Sequence, residues 1–260
     1  MTLLKVHECT KQFGGLTAVN KFSLSMEAGE LVGLIGPNGA GKTTAFNLLT
    51  GVYAPTSGSI HFKGQPIGGL RPYQIARCGI SRTFQNIRLF PNLTVLDNVR
   101  AAAHLHYTPN LWSAVARGAQ FFAAERKTEE RAREALARFG LSKWEQEMAR
   151  NLPYGEQRRL EIARALATEP TLLLLDEPAA GMNPQEKQAL MLQIQTLRPD
   201  YGLTVLLIEH DMQVVMGVCE RILVLDGGQL IAEGSPEAIR KNPKVIEAYL
   251  GEAGAASAIA

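Results

Sequence analysis

Gly36-Pro37-Asn38-Gly39-Ala40-Gly41-Lys42-Thr43 has the GxxxxGK[ST] spacing of a loop that holds phosphate. Its glycines let backbone N–H groups turn inward around phosphate oxygens, and the helix pattern opening at Thr44 adds the positive end of a helix dipole. Lys42 can reach β- and γ-phosphates, and the Thr43 hydroxyl is placed to ligate Mg²⁺. The expected ligand is a nucleoside triphosphate. Asp176 and Glu177 end a leucine run, 172–175. Such a pair is ordinarily a turn. Beside a phosphate loop it reads as chemistry, with Asp176 holding Mg²⁺ through water and Glu177 polarising the attacking water as general base. His210 follows the apolar run 205–208 after Glu209, where it can hydrogen-bond a γ-phosphate. His7, His61, His104 and His106 read as structural or surface residues. His104 and His106 stand two apart on a presumed helix and do not share a face as metal ligands would.

Buried strands must position these groups. The runs 31–35, 172–175 and 205–208 are apolar throughout, as strands covered on both faces are, and Thr204 opens the last of them. They alternate with helical patterns, which predicts α/β with a largely parallel sheet whose carboxyl ends carry the ligand. The first 35 residues and Ser59–Phe62 read as short strands and turns in a small sheet beside the main one. From about Val95 to Thr168 the pattern is helical. Ala132, Ala135, Leu136 and Phe139 form one apolar stripe, Glu129–Arg133 and Glu134–Arg138 are i, i+4 pairs on a solvated face, and Gly140 supplies a stop. Tyr107, Trp112, Phe121 and Phe122 read as core of this insertion, with one or two of them lining a groove for a partner helix as the alternative. The tail after Gly251 is expected to fray, and no internal repeat is visible.

With 27 basic and 25 acidic residues in 260, the chain has no electrostatic footprint for nucleic acid. Its apolar runs fall far short of the roughly 20 residues of a spanning helix. Met1–Glu8 lacks the basic-then-apolar design of a secretory signal. Cys9, Cys78 and Cys219 make no CxxC pair, which fits a reducing cytosol. These features point to a soluble intracellular protein with at most peripheral membrane contact.

Further motifs follow in order: Arg82-Thr83-Phe84-Gln85-Asn86, then Leu152-Pro153-Tyr154-Gly155-Glu156-Gln157-Arg158-Arg159, Asp176-Glu177-Pro178, Ala180-Gly181-Met182-Asn183 and His210. Together with the phosphate loop they resemble the ATP-binding cassette (ABC) ATPases of transporters over essentially residues 3–250. The resemblance implies a P-loop NTPase core with a small antiparallel β subdomain and a helical subdomain inserted between Q-loop and signature. It implies one domain: core 1–85 and 169–250, helical subdomain 86–168, tail 251–260. Gln85 becomes the Q-loop glutamine, contacting Mg²⁺ and coupling the helical insertion to the site. His210 becomes the switch histidine, and Phe13 the aromatic platform for adenine. Two cassettes would pair head to tail, each ATP lying between one phosphate loop and the other's signature, here Tyr154-Gly155-Glu156. Their cycle would drive two transmembrane permease subunits and, indirectly, a substrate-binding protein, from the cytoplasmic face of the inner membrane.

The signature departs from the family's LSGGQ. Its serine aligns with Pro153, which has neither hydroxyl nor N–H, its first glycine with Tyr154 and its glutamine with Glu156. This favours a heterodimer with unequal sites over a homodimer. The Tyr-Gly signature, Phe13–Val19, Arg88-Leu89-Phe90, Glu177–Pro184, Ile208–Met212 and Tyr249–Glu252 resemble the LivG-type subunits of branched-chain amino-acid importers. Cassettes for urea, amides or lipopolysaccharide share much of that pattern. Non-transport cassettes are disfavoured, since a long heptad coiled coil, a basic face and a second phosphate loop are all missing.

Overall fold

The computed structural model describes residues 2–106 and 119–252. Strands β1 (Thr2–Phe13) and β2 (Leu16–Glu27) form a hairpin, and β3 (Leu31–Ile35) leads into helix α1 (Lys42–Leu49). β4 (Ser57–Phe62), β5 (Gln65–Pro66), α2 (Pro72–Cys78) and β6 (Ile80–Arg82) follow. The helical insertion holds α3 (Val95–Ala103), α4 (Ala119–Arg138) and α5 (Tyr154–Leu166). β7 (Leu172–Asp176), α6 (Pro184–Asp200), β8 (Thr204–Ile208), α7 (Met212–Val218), β9 (Arg221–Asp226) and β10 (Gln229–Gly234) come next. α8 (Pro236–Arg240) and α9 (Pro243–Glu252) close the described chain.

The main sheet has the order β10-β9-β3-β8-β7-β6, parallel except for β10. Every residue of β3, β7 and β8 is buried, which explains why they are apolar apart from Thr204 at the start of β8 and Asp176 at the end of β7. Successive side chains of β3 enter opposite layers. Leu31 and Ile35 pack with the helical insertion and α6, while Val32 and Leu34 pack with α1 and the antiparallel sheet.

That second sheet has the order β2-β1-β4-β5. It corrects the sequence reading twice. Leu31–Ile35 belongs to the main sheet, as its apolar run implied, so the small sheet does not extend over all of the first 35 residues, and β1 and β2 are long strands of 12 residues each. Register shifts that include Glu8 (φ 45°) and Lys21 (φ 49°) break the alternation, so each strand reads as several short ones.

In the insertion, Ala132, Ala135, Leu136 and Phe139 are all buried. Both ion pairs form, at 2.7 Å for Glu129–Arg133 and 3.7 Å for Glu134–Arg138. Phe122 is a correction: it is 55% exposed instead of core. Ten residues before Ala132, it lies roughly 90° around α4 from the centre of the stripe. Tyr107, Trp112 and the tail beyond Glu252 lie outside the described residues, as does the side chain of Phe121. No helix among the described residues is long and apolar enough to cross a membrane.

Candidate active site

The phosphate-type loop joins β3 to α1, which starts at Lys42, two residues before the expected Thr44. Gly36 (φ 149°) and Gly41 (φ 99°) are obligatory here. A β-carbon would stand 2.0 Å from the Leu225 carbonyl oxygen in one case and 2.5 Å from that of Ala18 in the other. The loop is therefore seated against β9 and β2 by backbone contact. Lys42 Nζ donates to the carbonyls of Gly36 (2.5 Å) and Pro37 (2.7 Å), which curls the ammonium over the loop. Pro37 and Ala40 are buried, Asn38, Gly39 and Thr43 are exposed, and Thr44 lies between. The buried residues anchor the loop and leave its crest to solvent.

The carboxyl ends of β6, β7 and β8 converge beside it. Asp176, the last residue of β7, is buried and accepts from Arg82 Nη2 at 2.6 Å. Its N–H donates to Thr83 Oγ1 at 3.3 Å. Glu177 turns off the strand at φ 49°, which a side chain makes costly by about 1–2 kcal/mol. Its N–H still donates to the Ile208 carbonyl at 2.9 Å, so the sheet itself fixes this turn. Gln85 Nε2 donates to Glu177 Oε2 at 3.2 Å, and His210 Nδ1 lies 3.6 Å from the same oxygen. Three residues picked from separate motifs thus meet at one carboxylate. Phe13 lies apart from them, 40% exposed at the end of β1, in edge-to-face contact with Tyr53 at 5.0 Å and under Lys11.

Glu209, 1% exposed, accepts from the Ala179 N–H at 3.0 Å. Burial pushes its carboxyl above the ordinary value of 4.5, so the fold favours its protonated form. The group's contribution to stability is therefore complete below that value and is lost as pH rises through the raised folded value. Glu209→Gln keeps an oxygen acceptor for Ala179 and carries no charge. Thermal melting should match the parent at pH 4 and exceed it at pH 8. Parallel curves across that range would refute the assignment.

The start of α5 packs against the turn after β7. Pro153 is its N-cap, without a side-chain bond to the first turn. The Tyr154 ring lies on Gly181, where a β-carbon would stand 2.9 Å from Cε1. Gly155 faces Glu186 on α6, and Glu156 pairs with Arg159 at 3.7 Å. The sequence reading missed Arg82, Arg158 and Glu161, all buried or nearly so. The only trace in the sequence was an opposite-charge pair at i, i+3, Arg158–Glu161, and it stands in a polar run that also holds Glu156, Arg159 and Arg164, so nothing marks it as buried.

Comparison with known proteins identifies the family. A family model described as "ABC transporter" matches residues 19–180. A second, "Branched-chain amino acid ATP-binding cassette transporter", matches residues 229–255. The chain is 50% identical over 251 residues to the high-affinity branched-chain amino acid transport ATP-binding protein LivG of Escherichia coli, covering 96% of this chain and 98% of that one. It is 48% identical to BraF of Pseudomonas aeruginosa, which carries the same description, with the same coverage. Among solved structures, a nucleotide-free ATP-binding cassette from an ABC transporter superposes with a TM-score of 0.84 at 30% identity, covering 96% of this chain and 99% of that one. By the family model over residues 19–180 and by the identity to LivG, the chain belongs to the ABC transporter family of ATP-binding cassettes.

Proposed function

We propose that this chain is the ATP-hydrolysing subunit of an importer for branched-chain amino acids, with Glu177 as the general base. As a member of its family it binds ATP and is an ATPase. The observation carrying the residue assignment is the convergence of Gln85 and His210 on Glu177 Oε2 beside the glycine loop. ATP phosphates would take the N–H groups of Gly36–Thr44, with Lys42 moving from the loop carbonyls to phosphate oxygens. Glu177 would accept the proton of the attacking water, Gln85 would orient the carboxylate, and His210 would hydrogen-bond the γ-phosphate. Phe13, exposed and stiffened by Tyr53, would stack on adenine.

A buried carboxylate at Asp176 and an exposed hydroxyl at Thr43 suit a hard divalent cation. Thr43, Asp176 and Gln85 would hold Mg²⁺, which when bound neutralises charge on the transferring phosphoryl group.

Like others of its family, the chain works paired with a second cassette and with membrane permeases. The finer assignment is a heterodimer at the cytoplasmic face of the inner membrane. Tyr154, Gly155 and Glu156 would meet the partner's ATP at the start of α5, where Pro153 offers neither hydroxyl nor N–H. With the ordinary serine in the partner, Pro153→Ser should raise phosphate release by the assembled complex about two- to threefold. An unchanged rate would count against unequal sites. A groove of about 350 Å³ between α2, β6, α3 and α5, lined by Val52, Ile75, Phe90 and Ala101, offers an apolar seat for a permease helix.

Cargo is tested by uptake of labelled leucine, isoleucine and valine in cells whose only copy carries Glu177→Gln, with urea and acetamide as controls. Loss of branched-chain uptake alone is expected. Unchanged uptake, in a strain without a redundant carrier, would redirect the motor to urea, amides or lipopolysaccharide.

A further inference from the structure

Beyond Thr83 the chain leaves the sheet, and the last ladder-type bond is the Thr83 N–H to the Leu174 carbonyl at 2.9 Å. The backbone of residues 84–88 must then find other partners. Two side chains one turn apart on α5 supply them. Glu161 Oε1 accepts from the N–H groups of Phe84 (3.3 Å) and Arg88 (3.2 Å). Arg158 donates through Nη1 to the Phe84 carbonyl at 2.9 Å and through Nη2 to the Gln85 carbonyl. The two are paired at 3.4 Å with side chains 4% and 3% exposed. Burial pushes the Glu161 carboxyl upward against these stabilising contacts. The other edge of the guanidinium donates from Nε and Nη2 to the Tyr154 hydroxyl, at 3.1 and 2.9 Å. The Tyr154 ring in turn rests on Gly181, four residues beyond Glu177.

We infer that Arg158 is a positioning residue for hydrolysis: it fixes the Gln85 backbone so that the Gln85 amide meets Glu177, and the Tyr154 hydroxyl holds the guanidinium in that pose. Arg158 and Glu161 act as a strand edge made of side chains, clamping a loop the sheet cannot reach. A planar fork suits this task, because two successive carbonyls and a phenol oxygen are met by one rigid group. The tyrosine in the signature thereby acquires a purpose within its own chain, linking the start of α5 to Gly181 on one side and to the Q-loop on the other. The inference deepens the proposed hydrolytic site and rests on Glu177 being its base.

The test uses the full-length chain, with steady-state ATP hydrolysis and thermal melting measured on each variant. Arg158→Lys keeps a positive charge opposite Glu161 but loses the fork. It should lower kcat about tenfold while KM for ATP stays within about twofold. Tyr154→Phe removes only the hydroxyl and should lower kcat about threefold with an unchanged melting temperature. It therefore decides the matter should the lysine variant fail to fold. In a Gln85→Ala background, Arg158→Lys should cause no further loss, because the two act through one contact. Multiplying effects of the two substitutions would overturn the inference, as would Tyr154→Phe with parental kcat. Glu177→Gln separates the failures. If that variant still turns over, the site reading falls; if it is inactive and both signature variants are normal, only the positioning role falls.

Discussion

Glu177→Gln is expected to bind ATP with parental affinity and to hydrolyse it at least about 100-fold more slowly. The substitution is nearly isosteric, and its amide oxygen can still accept from Gln85 Nε2, now 3.2 Å from Glu177 Oε2. The backbone at φ 49° is held by the Ile208 carbonyl and Gly36–Lys42 are untouched, so the ATP cradle survives. What disappears is the basic oxygen that takes the proton of water. General-base contributions run from about 10² to 10⁴ in rate, which sets the scale. Phosphate release gives kcat, and equilibrium titration with a fluorescent ATP analogue gives affinity. A kcat within about threefold of the parent would remove Glu177 from the role of base. Loss of binding together with turnover would show instead that the carboxylate supports the loop.

The groups proposed to touch phosphate or water were legible in the sequence because that chemistry forces local patterns. Gly36 and Gly41 admit no β-carbon, and β7 and β8, buried on both faces, are built of leucine, valine and isoleucine over the four residues before Asp176 and Glu209. Such demands are met within a few residues of chain. Arg82, Arg158 and Glu161 answer demands made elsewhere: Arg158 serves carbonyls 73 and 74 residues earlier, and Arg82 serves a carboxylate 94 residues later. No periodicity announces a side chain that substitutes for a missing strand. The long strands β1 and β2 were hidden for a related reason. β1 pairs with β2 on one side and β4 on the other, and the register shifts at bulges in both ladders, so alternation fails locally while pairing continues. Phe122 shows the limit of reading an aromatic residue as core, since only its angle around α4 decides which side it takes.

Arg82→Met should destabilise the chain by about 3–5 kcal/mol, the usual effect of stranding one partner of a buried ion pair. Arg82 and Asp176 have side chains 6% and 4% exposed and meet at 2.6 Å. The guanidinium also donates to Asn47 Oδ1 at 2.6 Å and lies near the rings of Phe46 and Phe84, 5.4 and 5.1 Å from their centroids. Methionine fills much of that slot, so lost packing is a small part of the effect. The dominant part is a carboxylate at the end of β7 left without an opposite charge. At about 2–4 °C per kcal/mol for a chain of this size, melting should fall by roughly 6–20 °C. Adding Asp176→Asn should recover most of the loss, because no buried charge then stands alone. A fall below about 1 kcal/mol in the single variant would mean that water already solvates Asp176. The metal assignment makes a second demand on the same protein. If Asp176 holds Mg²⁺, then Mg²⁺ with ATP should raise the melting temperature of Arg82→Met more than that of the parent, and ATP with EDTA should not. Equal shifts would leave Arg82 as the partner of a structural carboxylate and move the metal to other residues.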